Sequence, residues 1–130
     1  MYSRLRLLCK IEARPEGPSH ARRIVARELA PVIPRRACDE IQLMVSELVT
    51  DGVMHGTRDS DAQIMLDLQV NEGIRCAVTT AGHGFAGGGA MSRAAVRIFE
   101  RLAARSGVQR TRQGTRTTWF ETEGQHGSTL

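Results

Sequence analysis

Apolar residues recur at three- and four-residue intervals in some stretches of this chain and alternate with polar ones in others. Ala21, Ile24, Val25 and Leu29 share one helical stripe. Pro18-Ser19 opens that helix, with Ser19 as its N-cap, and Pro31 and Pro34 end it. A second helix starts at Asp39, with Gln42 three residues on as the partner of a capping box. Ile41, Met44, Val45, Leu48 and Val49 give it a core-facing stripe, and His55-Gly56 closes it. Ile64, Leu66, Leu68 and Val70 alternate as in a half-buried strand. Asn71-Glu72-Gly73 supply a turn, and Ile74, Cys76 and Val78 continue the alternation. A third helix is predicted from Ser92 to Ser106, with Gly107 at its C-cap position. Leu5 to Ile11 reads as an edge strand. Val108–Arg112 and Arg116–Glu121 read as a final hairpin around Gln113-Gly114. The order of elements predicts an α+β sandwich with its helices on one face of a sheet. Residues 1–122 form a single domain in this reading, and the polar tail 123–130 is expected to be mobile.

Composition narrows the chemistry. A chain of 130 residues buries roughly two thirds of its unfolded surface, enough to fold without a disulfide or structural metal. The net charge of +4 comes from 17 arginines and a single lysine, Lys10. No GxxxxGK occurs, and Lys10 has no kinase-strand context, so lysine-dependent phosphate binders are excluded. The basic excess points to an anionic partner. Cys9, Cys38 and Cys76 are far apart and never in CxxC spacing, which reads as reduced thiols in a cytoplasmic protein. Charges interrupt the apolar start of the chain, so no signal peptide is expected, and no apolar run is long enough for a membrane span.

Two features carry candidate chemistry. Glu47, Asp51 and His55 stack four apart along the second helix, beside its apolar stripe. Two carboxylates and an imidazole there can bind a metal or place a general base, or simply form a solvated ridge. A zinc hydrolase is disfavoured, because HExxH is missing. The second feature is the glycine-rich run AGHGFAGGG, which by itself reads as a loop.

The segment SELVTDGVMHG resembles the N box of the GHKL (Bergerat-fold) ATPases, in the branch of bacterial anti-sigma-factor serine kinases. SHARRIVARELA is similar to that family's first helix, and RIFERLAARSGVQRTRQGTRTTWFE to its last helix and hairpin, so the likeness runs from Ser19 to Glu121. It implies a two-layer α/β sandwich on a mixed, mostly antiparallel sheet, and ATP with Mg²⁺ as cofactors. Glu47 would be the general base, while Asp51 stands where the family's asparagine meets the magnesium. His55, Gly82, Gly84, Gly88, Gly114 and Thr115 fall on the nucleotide-binding pattern.

Several positions depart from it. Thr80 replaces the aspartate that accepts from the adenine amine, a loss of about 1–3 kcal/mol. Ala90 stands in place of a glycine next to the phosphates, and the lid between the glycine motifs is nearly absent. Gly52 replaces an alanine, loosening the helix by about 1 kcal/mol. These departures predict weakened or lost nucleotide binding.

Arg93, Arg97, Arg101 and Arg105 recur every four residues on the predicted third helix. They read as a solvent ridge partly paired with Glu100, or as a docking face for an acidic protein. The leading expectation is a regulator that holds a sigma factor or an anti-sigma antagonist, and the resemblance adds pairing into homodimers. An active ATP-dependent serine/threonine kinase is the alternative, and a nucleic-acid-binding domain the third reading. The last lacks interleaved aromatics and a basic arm.

Overall fold

Period-two alternation builds a five-stranded sheet, and the apolar helix stripes cover one side of it. The computed structural model describes residues 4–55, 63–81, 92–112 and 114–123. In chain order the elements are β1 (Leu5–Glu12), α1 (Gly17–Leu29), α2 (Arg35–His55), β2 (Gln63–Val70) and β3 (Ile74–Ala81). They are followed by α3 (Arg93–Leu102), β4 (Arg105–Arg110) and β5 (Arg116–Thr122). The strand order is β1-β2-β3-β5-β4, and all four pairings are antiparallel. β1 lies at an edge, as its short apolar run predicts.

Register aligns the core in rows across the sheet. Cys9, Leu66, Val78, Thr118 and Val108 are successive partners in one row, and Leu7, Leu68, Cys76, Phe120 and Ser106 in the next. The buried members of these rows join the α1 and α2 stripes in one apolar cluster, in which every residue of both predicted stripes is buried. Phe99 of α3 meets Phe120 at 5.6 Å between ring centroids and extends the cluster toward β4.

The helix boundaries differ from those predicted. α1 begins at Gly17, with Pro18 in its first turn, where a missing N–H costs nothing. Ser19 is therefore inside the helix, where its Oγ accepts from Arg23 Nη1 at 3.0 Å. α2 starts directly after Pro34, so Asp39 is an internal residue, and Gln42 bonds Cys38 Sγ rather than a cap. α3 is shorter than predicted and stops at Leu102. Ala103 is already extended, and the Ala104 N–H donates to the Glu121 carbonyl. Pairing with β5 wins over helix propensity here, because each strand residue gains a ladder partner. Gly107 then lies opposite Trp119 in β5, not at a helix C-cap. A Cβ there would come within 2.8 Å of the indole ring.

Candidate functional site

The polar ridge of α2 ends at a buried ion pair. Asp51 Oδ2 lies 3.1 Å from Arg116 Nη2, and the two side chains are only 10% and 5% exposed. Arg116 reaches this place because β5 alternates Arg116, Thr118 and Phe120 toward the helices, and all three are buried. Across the ladder Arg116 is the partner of Thr80 in β3, and Thr80 Oγ1 donates to the Arg116 carbonyl at 3.3 Å. Thr80 and Asp51, far apart in sequence, thus meet through one arginine.

Gly52 makes the close approach of α2 possible. A Cβ at that position would lie 3.0 Å from Thr80 Cγ2 and 3.2 Å from Ile64 Cδ1, so these side chains would have to give by a few tenths of an ångström. The glycine that weakens helix propensity therefore brings the Asp51 turn down onto β3. Leu48, Val78 and Thr118 line the rest of the space around the pair. Glu47 lies one turn earlier, half-buried, and makes no ion pair among the described residues. His55 is the last residue of α2.

The remaining predicted positions separate into three groups. Gly82, Gly84, Gly88 and Ala90 lie outside the described residues. Gly114 and Thr115 form the β4–β5 turn: Gly114 takes a positive φ of 88°, and the Thr115 N–H donates to Thr111 Oγ1 at 3.1 Å. This turn delivers the chain into Arg116. Arg93, Arg97 and Arg101 are exposed along α3, but Arg105 is not on that helix. It belongs to β4 and forms an ion pair with Glu121, so the ridge has three arginines rather than four. None of the three pairs with Glu100 among the described residues. Val96 lies among them with 38% exposure, and Val108 of β4 is 46% exposed. Phe99 and Val108 share the lining of a small hollow of about 60 Å³.

Arg116 is the residue that sequence reasoning missed. Its signal was present: a charged residue in phase with the inward positions Thr118 and Phe120 must find an opposite charge or stay out of the core. The partner, Asp51, is too distant in sequence for any local pattern to name it.

Glu121 organises the opposite face of the sheet. It accepts from Arg75 Nη1 at 2.8 Å and also pairs with Arg105. The Arg75 guanidinium lies 4.6 Å from the centroid of the Trp119 ring. The hydrogen bond from Arg75, with the nearby charge of Arg105, holds the Glu121 carboxyl below the ordinary glutamate range.

Sheet order and one-sided helix packing define an α+β sandwich with its helices on one face of an antiparallel sheet. Among solved structures, the chain is similar to the RsbU and RsbW domains of Rv1364c from Mycobacterium tuberculosis. The TM-score is 0.73, at 17% identity over 92% of this chain. The likeness covers 32% of that longer chain, so the present sequence spans about a third of its length. No protein-family model and no curated protein matches the sequence. No helix among the described residues is long and apolar enough to cross a membrane.

Proposed function

We propose that this chain is a regulatory protein of the anti-sigma-factor kind, which acts by holding a sigma factor or an anti-sigma antagonist. The observation that carries this reading is the ridge of Arg93, Arg97 and Arg101 on α3. It is exposed and unneutralised by Glu100 among the described residues, with the half-exposed Val96 of the same helix. Cationic side chains around exposed apolar ones suit an acidic protein surface with an apolar anchor. The similarity to a chain with an RsbW domain supports the same class of partner. Magnesium-nucleotide binding is weakened in this reading. Asp51 is neutralised by Arg116, and the Thr80 hydroxyl is buried and donates to a backbone carbonyl. The protein is cytoplasmic in this reading, and a homodimer is compatible with it.

Calorimetric titration against purified sigma factors and anti-sigma antagonists of the source organism tests the proposal. At least one is expected to bind. Joint replacement Arg93→Glu, Arg97→Glu and Arg101→Glu is expected to weaken that binding roughly 100-fold without lowering Tm, because three exposed attractions become repulsions. Unchanged affinity in the triple variant would remove α3 as the docking face. A clear rise in Tm with millimolar Mg-ATP, together with phosphorylation of a partner serine, would establish the kinase reading instead. Steeply salt-dependent binding to duplex DNA would favour the nucleic-acid reading.

A further inference from the structure

We infer that Arg116 decides the metal dependence of this fold's α2 site: it takes up the Asp51 carboxylate as a fixed internal cation and so excludes a divalent one. The inference rests on the Asp51 geometry, not on the partner-binding reading, and either can fail without the other.

The local charge balance comes first. Asp51 and Arg116 carry opposite unit charges 3.1 Å apart, both nearly buried, and together leave no net charge to attract a cation. Magnesium binds carboxylate oxygens at about 2.0–2.1 Å and keeps several of its waters. Placed on Asp51, it would sit beside the Arg116 guanidinium cation. Its waters would also need room beside Leu48, Gly52, Val78 and Thr118, which line the pair.

The arginine is also held in place. The β3–β5 ladder and the Thr80 hydroxyl fix its backbone, and the close approach at Gly52 fixes the height of Asp51 above it. Arg116 Nε is buried with no acceptor, so Asp51 is the anion on which the guanidinium depends. A metal could claim Asp51 only by leaving a buried cation uncompensated. The residues of this site therefore do not fit the magnesium that the family resemblance implies.

The test uses Mn²⁺ as the probe, followed by calorimetry and by loss of the free-ion paramagnetic resonance signal on the full chain. Wild type is expected to show no stoichiometric Mn²⁺ site up to millimolar concentration. Arg116→Met removes the guanidinium from the carboxylate and is expected to create a site at least tenfold tighter than anything in wild type. Adding Asp51→Asn to that variant should abolish it. Arg116→Gln, which keeps a donor for Asp51, is the second variant in case Arg116→Met does not fold. A wild-type Mn²⁺ site that disappears in Asp51→Asn overturns the inference. So does a folded Arg116→Met or Arg116→Gln variant that gains none. If neither variant folds, the comparison of wild type with Asp51→Asn decides alone.

Discussion

Glu121 and Cys76 show how differently two residues of one sheet respond to their faces. Glu121 lies on the open face, where Arg75 and Arg105 lower its proton affinity in the folded state. A carboxylate with a lowered folded pKa contributes its stability in full above the ordinary glutamate value and loses it as pH falls through the lowered one. Glu121→Gln is therefore expected to flatten the fall of stability below about pH 5 in urea titrations. The effect should be modest and shrink with added salt, because the pairs are partly exposed. Cys76 faces the helices, and burial pushes its thiol far above the usual cysteine range. A thiol reagent at pH 8 is expected to leave Cys76 unmodified in the folded protein and to label it on unfolding, as peptide mass mapping would show. The places of Glu47 and Asp51 on α2 and of Thr80 on β3 were legible in the sequence, because helical period and strand alternation put them there. Arg116 was not, since its meaning depends on a partner brought close only by β3–β5 pairing.

At the scale of elements, the legible parts were those with a sustained period. The stripes of α1 and α2 and the alternation of β2 and β3 each repeat over several residues, and all lie where the pattern put them. Their ends were less legible. Capping signals at Ser19 and Asp39 gave way to Pro18 and Pro34, which terminate or admit helices by covalent geometry alone. The junction of α3 with β4 was invisible, because Ala103 to Ser106 suits a helix and only the β5 ladder makes it extended. The structure adds a cap at Ser92: the Ala95 N–H donates to its Oγ at 3.1 Å. Ser92→Ala is expected to cost about 1 kcal/mol in chemical denaturation, and Ser92→Asp to recover most of it. Because α3 carries the arginine ridge, the same alanine variant tests how far a frayed first turn weakens partner binding.

For the molecule as a whole, one contiguous apolar cluster joins all three helices to the sheet. A single core of this size implies one cooperative transition. Emission of Trp119, the only tryptophan and a resident of the open sheet face, and far-ultraviolet dichroism, dominated by α1 and α2, are expected to give coincident urea midpoints. Separated midpoints would show that the β4–β5 hairpin unfolds on its own. The sheet order also bears on how this molecule comes together. β2 and β3 are joined by a three-residue turn, whereas β1 must wait for Ile11 to find Ile64. Closing that span of about fifty residues draws only slowly growing entropy from the chain, yet no neighbour rewards it until both α1 and α2 have docked. The first strand of the sheet therefore waits unpaired until β2 has emerged. An emerging chain carries β1 as an unpaired apolar edge throughout the synthesis of α1 and α2, the interval in which a chaperone or a second nascent copy competes for it.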